Sequence, residues 1–111
     1  MTKQNLRSEV RLPHNRRGTV TVGGAMSPCL IQDFSTKGFL LMSTRHFAVG
    51  DILELSAELY PGQVLKCKVE VRRLDEDCYG TMIVDISEPS ARLCQQFVEE
   101  IYSDRLKFAG R

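Results

Sequence analysis

The middle of the chain alternates between apolar and polar side chains with a period of two. In DILELSAELY, residues 51–60, Leu53, Leu55, Ala57 and Leu59 fall on one side; Glu54, Ser56 and Glu58 fall on the other with Ile52. In QVLKCKVEVRR, residues 63–73, Leu65, Cys67, Val69 and Val71 face in and Lys66, Lys68, Glu70 and Arg72 face out. In CYGTMIVDIS, Cys78, Met82, Val84 and Ile86 alternate with Tyr79, Thr81, Ile83 and Asp85. GTVTV, PCLIQDF and GFLLMS supply three shorter runs, and the breaks between runs are GGAMSP, STKG, AVGD, YPGQ and DEDC, each rich in turn-forming residues. Six antiparallel strands at such short spacing predict a mainly β domain, a small barrel or a sandwich.

From Pro89 the period changes. Leu93, Cys94, Phe97, Val98, Ile101 and Leu106 recur at steps of three and four, with Gln95, Gln96, Glu99, Glu100 and Ser103 opposite. The spacing predicts an amphipathic helix over about 88–108, with Ser87 or Glu88 as its cap and Pro89 in its first turn. Its apolar face suits it to close the open end of the β structure.

At 111 residues, with 42% apolar and 26% charged residues, the chain has the composition of one globular domain with a modest core. No apolar run approaches the roughly 20 residues that cross a membrane, and MTKQNLRSEVR carries no secretory h-region, so a cytoplasmic protein is expected. Cys29, Cys67, Cys78 and Cys94 form no CxxC pair and lie far from His14 and His46 in sequence. They read as small buried hydrophobes, with no metal site.

The net charge of +1 is unevenly spread: residues 1–17 hold Lys3, Arg7, Arg11, Arg16 and Arg17 against Glu9, a balance of +4, which leaves −3 for the rest. A basic arm, residues 1–17, thus precedes a mildly acidic body, residues 18–111, and an anionic partner suits the arm.

No nucleophile elbow, phosphate-binding loop or metal-ligating pair is present, and the candidate acids and bases are scattered over outward strand positions and turns. His14 and His46 read as loop residues, so catalysis is not expected. Two segments stand out as binding chemistry. In RSEVR, Arg7 and Arg11 carry planar donor forks that fit phosphate oxygens and guanine edges. In DFSTKG, residues 33–38, Asp33 and Ser35 can bond nearby amides and Gly38 can take a positive φ, which is ordinary turn chemistry. The same residues also suit a nucleotide: a carboxylate for guanine N1–H and N2–H, a hydroxyl for phosphate, and a glycine for close backbone approach.

RxxxR at Arg7–Arg11, followed 22 positions later by DxSxxG at Asp33–Gly38, resembles the paired motif of the PilZ domain family, bacterial receptors for cyclic di-GMP. The VGD turn at residues 49–51, the VEVRR strand and the GTMIVDI strand extend the likeness over nearly the whole chain. The resemblance implies a six-stranded β-barrel with a C-terminal helix, and a non-catalytic receptor with cyclic di-GMP as ligand and no cofactor. It gives Arg7 and Arg11 the guanine and phosphate contacts, Asp33 a guanine edge, Ser35 the ligand's polar groups and Gly38 the shape of the turn. Arg16 and Arg17 lie outside the motif. Leu6 stands where some PilZ domains have a further arginine that helps hold a second, stacked ligand, which favours one ligand per chain. A stand-alone receptor of this kind must act through a partner protein, in motility, attachment, exopolysaccharide production or virulence.

Two other readings remain open at this level. A barrel that binds single-stranded nucleic acid would want aromatic platforms and a basic groove, whereas this chain has no Trp, 7% aromatic residues and a net acidic body. A PilZ-like protein-interaction scaffold without nucleotide would not need the complete pair of motifs.

Overall fold

The structure, a computed structural model, describes residues 15–109, with side chains to residue 103. Six strands and one helix follow in order: β1 Arg16–Val22, β2 Ala25–Phe34, β3 Gly38–Met42, β4 Ile52–Tyr60, β5 Gln63–Asp75, β6 Cys78–Ile86 and α1 Glu88–Ala109. All pairings are antiparallel, and the strands close into a barrel in the order β1-β2-β3-β6-β5-β4. The six-stranded barrel with its C-terminal helix is therefore the observed architecture, and the sandwich is excluded. Arg16 and Arg17, grouped with the arm by charge, are the first residues of β1.

Alternation builds the core. Leu53, Leu55, Ala57 and Leu59 of β4 and Leu65, Cys67, Val69 and Val71 of β5 are all buried, and they meet Val20, Ile31 and Leu41 inside the barrel. Ile52 stays on the outer face at 47% exposure, as its phase requires. β6 behaves differently. Tyr79 and Thr81 are buried while Met82 and Val84 are exposed, and Ile86 returns to the core. The reason is a bulge: Val69 pairs with Ile83 and Lys68 with Asp85, so Val84 is the extra residue and the phase inverts across it.

Helix α1 starts as expected. The Ser87 hydroxyl accepts from the Ser90 amide at 3.4 Å and the Ser87 carbonyl takes the first helical bond, from Ala91 at 2.9 Å. The cap is therefore Ser87 rather than Glu88. Cys94, Phe97 and Val98 are buried against the barrel, with Leu93 and Ile101 partly so, and the Lys66 amide donates to Ser90 Oγ at 3.1 Å. Phe97 meets Phe34 and Tyr60 in edge-to-face contacts with centroids 4.8 and 5.7 Å apart. The helix thus roofs one mouth of the barrel.

The segment between β3 and β4 is pinned by side chains. Arg45 Nη1 donates to the Ala25 carbonyl and to Ser27 Oγ, and Nη2 to the Val22 carbonyl, at 2.9, 3.1 and 3.4 Å. The Tyr79 hydroxyl donates to the Arg45 carbonyl at 3.2 Å. His46 is an exposed member of this loop. Cys29, Cys67 and Cys94 are buried among apolar side chains, and burial pushes their thiols up to about 11, about 12 and about 11 respectively. Neutral thiols of this kind fill space as small hydrophobes do.

Candidate functional site

Asp33, Ser35 and Gly38 lie together where β2 turns into β3. The Ser35 hydroxyl organises that turn: it donates to the Gly38 carbonyl at 2.9 Å and accepts from the amides of Gly38 and Lys37 at 3.0 and 3.1 Å. One donor and two lone pairs are all a hydroxyl has. The Ser35 amide adds a 3.0 Å bond to the Gly38 carbonyl. In this state the serine spends its whole bonding capacity on the shape of the loop.

Gly38 is needed for a different reason from the one its turn position suggests. Positive φ occurs at Gly23, Gly24, Gly50 and Gly62, not at Gly38. A Cβ at Gly38 would instead lie 1.9 Å from the Thr81 carbonyl oxygen of β6 and 3.0 Å from the Met82 Cα. The glycine lets β3 and β6 come together beneath the turn, where the Ile83 amide also bonds the Lys37 carbonyl at 2.8 Å.

Asp33 owes its direction to a bulge. Cys29 and Ile31 face the core, and unbroken alternation would send Asp33 inward after them. The β2–β3 register instead slips between Ile31 and Asp33, with Gln32 as the extra residue. Phe34 then faces in, and Asp33 stands on the outer wall opposite Leu40. A second slip, between Val71 and Arg73 of β5, places Arg73 opposite Gly80. Since Leu40 pairs with Gly80, one outer row runs Asp33, Leu40, Gly80, Arg73 across four strands.

The row is the floor of a pocket of about 370 Å³, edged by Ser35, Lys37, Gly38 and Met82. A Cβ at Gly80 would lie 2.8 Å from Arg73 Nη1 and 3.0 Å from its Cγ, so the guanidinium lies flat over the glycine. Arg73 Nε donates to Asp75 Oδ2 at 3.1 Å, and with both side chains 55% exposed the pair steers the arginine more than it stabilises the fold. The pocket thus combines a carboxylate with two cations, Lys37 and Arg73, on a wall with apolar Leu40 and Met82.

β1 begins at Arg16, opposite Ile31 and two residues from Asp33 along β2. The chain therefore enters the barrel beside the pocket. Leu6, Arg7, Arg11 and His14 lie outside the described residues. Lys37 and Arg73 were not among the residues singled out from sequence. Arg73 had a signal: it is a charge at an inward phase of β5, in the doublet Arg72-Arg73, which a strand can accommodate only by bulging.

A small closed β-barrel with one roofing helix and a polar pocket on its outer wall is the class of module this chain forms. The family model for the PilZ domain matches residues 5–100, a stretch that includes both the RxxxR and the DxSxxG segments. The chain belongs to the PilZ family, a family that binds cyclic di-GMP. The fold is similar to the PilZ domain of CeSA from a cellulose-synthesizing bacterium, at a TM-score of 0.64 and 12% identity over 82% of this chain and 96% of that one. A search of curated proteins gives no significant match. No helix among the described residues is long and apolar enough to cross a membrane.

Proposed function

We propose that this chain is a non-catalytic receptor that holds cyclic di-GMP between its N-terminal arginines and the Asp33–Gly38 turn, and passes the signal to another protein. The observation that carries this reading is the outer row from Asp33 to Arg73, at the end of the barrel where the chain enters. Cyclic di-GMP presents two phosphates and two guanines. Arg11 lies five residues before Arg16, within roughly 17 Å of extended chain, so its guanidinium can reach the pocket. Arg7 and Arg11 bind phosphate and guanine, and Asp33 accepts from guanine N1–H and N2–H. Ser35 contributes by fixing the turn, its hydroxyl being engaged there, and Gly38 by bringing β3 onto β6. Arg73 adds a fifth side chain to the set, a flat cation against which a base or a phosphate can rest. With Leu6 offering no guanidinium, one ligand binds per chain.

Calorimetric titration of the full chain tests this. Cyclic di-GMP binds at one per chain, and Arg7→Ala and Arg11→Ala each weaken it by about 1.5–3 kcal/mol, the range for hydrogen bonds to charged groups. Equal binding by all three proteins would remove the arm from the site. Binding of a random RNA oligonucleotide in place of the dinucleotide would favour the nucleic-acid reading.

A further inference from the structure

The outer wall of the barrel carries a second row beside the one that floors the ligand pocket. Arg17 of β1 pairs with Leu30 of β2, Leu30 with Met42 of β3, and Met42 with Cys78 of β6, which Asp77 precedes in the β5–β6 turn. Gln32, the bulged residue between the two rows, donates to Met42 Sδ at 3.4 Å and accepts from Cys78 Sγ at 3.1 Å, which fixes this edge of the row. Arg17 and Asp77 line one cavity of about 730 Å³, about twice the volume of the ligand pocket. Pro28, Leu30 and Met42 give it an apolar floor, and the loop that Arg45 pins stands at its side. From β1 to the turn the row thus reads cation, apolar, apolar, anion. Both charged residues are exposed, and among the described residues neither side chain takes a hydrogen bond or an ion pair.

We propose that this wall is a self-association surface, occupied by a second copy of the chain related by a two-fold axis. An axis lying in the contact plane, across the row, lays the row antiparallel on itself. Arg17 of each copy then meets Asp77 of the other, and Leu30 of each meets Met42 of the other, so the charges and the apolar centre all find partners. A uniformly basic or acidic segment would satisfy one end of the row and be repelled by the other. Residues 1–14, with Lys3, Arg7 and Arg11 against Glu9, are such a basic segment, and Arg17 opposes them. Leu30 and Met42 are only half-buried, and an unbranched methionine adapts to the surface that faces it. The association needs no ligand and does not rest on the receptor reading. It does border the ligand pocket, since Leu40 of the pocket floor is two residues from Met42 on β3.

Charge exchange across the two-fold tests this, with the full chain followed by sedimentation over a concentration series and melted in parallel. Arg17→Asp and Asp77→Arg each place like charges at both ends of the pairing, and each alone raises the dimer dissociation constant by about tenfold or more. An equimolar mixture of the two variants recovers association at least as tight as the wild-type protein. There the introduced carboxylate of one faces the introduced guanidinium of the other, while the native Arg17 meets the native Asp77. A mixture that stays as weak as its components would overturn the antiparallel pairing. A wild-type dimer that neither substitution weakens would place the contact elsewhere and overturn the proposal, as would a wild-type chain that stays monomeric up to about 1 mM. Should a charge reversal fail to fold, Arg17→Gln and Asp77→Asn replace it: each weakens the dimer by about threefold, and unchanged association in both would overturn the proposal. Titration of the same samples with cyclic di-GMP keeps the two readings apart, because a dimer that binds no ligand would retire the receptor and leave this interface standing.

Discussion

β4 and the first half of β5 pair from Ile52↔Glu70 to Glu58↔Val64 without a slip, whereas β2 and the second half of β5 each change phase once. The first region puts seven apolar side chains into the core and its charges outside. The second gives up one residue of pairing at Gln32 and one at Arg72, and in return aims Asp33 and Arg73 at a common outer row. Regular pairing stabilises the barrel, and irregular pairing builds the pocket. Variants in the two regions should accordingly fail in different ways.

The largest effect belongs to the regular region. Leu55 is 1% exposed, and Leu55→Ala is expected to lower unfolding free energy by about 2–5 kcal/mol through lost burial and the cavity left behind. Chemical denaturation measures that loss, and ligand affinity of the protein that remains folded should change little. A comparable loss of affinity would mean that the two regions are not separable.

Next comes an alkaline instability carried by Cys67, also in the regular region. Its thiol ionises near 9.0 when exposed and is pushed up to about 12 by burial. A raised folded-state value means that the native protein holds its proton longer than the unfolded chain. The stabilisation is then complete below pH 9 and is lost as pH rises toward 12, at about 1.4 kcal/mol per pH unit for one such thiol. Melting curves between pH 8 and 11 should fall more gently for Cys67→Ala than for the wild-type protein, although the variant starts lower. Parallel curves would show that Cys67 stays uncharged in neither state's favour.

In the irregular region, Gly38→Ala should cost about 1–3 kcal/mol in stability, because the new methyl meets the Thr81 carbonyl and β3 must draw away from β6. Unlike Leu55→Ala, it should also abolish tight ligand binding, since the same movement opens the turn. Retained affinity would separate the turn's shape from the site.

The finest test addresses Asp33. If its carboxylate reads guanine N1–H and N2–H, cyclic di-AMP should bind at least tenfold more weakly, a difference of about 1.4 kcal/mol. Asp33→Asn should weaken the guanine ligand and narrow that gap, and Thr36→Ala, at an exposed loop position, should leave both affinities within about 0.5 kcal/mol. Unchanged discrimination in Asp33→Asn would return Asp33 to a plain turn role.

The same contrast explains what could be read in the sequence. β4, β5 as far as Val71, and the apolar face of α1 follow their periods residue by residue, so the barrel and its roof were visible from the pattern. A bulge inserts one residue and leaves no mark on composition. The alternation in β6 therefore did not tell that Tyr79 and Thr81, and not Met82 and Val84, face the core, and the outward turn of Asp33 could not be derived. Gly38 was noticed at the right position for the wrong cause, because close strand approach and positive φ select the same residue. Arg73 went unnoticed because the pocket draws it from a strand forty residues away from Asp33 in the chain.

Closure of the barrel also limits how a partner can be met. β1 pairs on one side with β2 and on the other with β4, and where β2 runs beyond the end of β3 the Arg45 guanidinium takes the Ala25 carbonyl. Within residues 15–109 the open edge is thus short, the stretch of β2 before Leu30, where Pro28 has no amide to give, and it offers little ladder for another protein to extend by strand addition. Recognition of this domain must run through side chains, on the outer walls or the helix, where a bound ligand and the chemistry around it can be part of what is read.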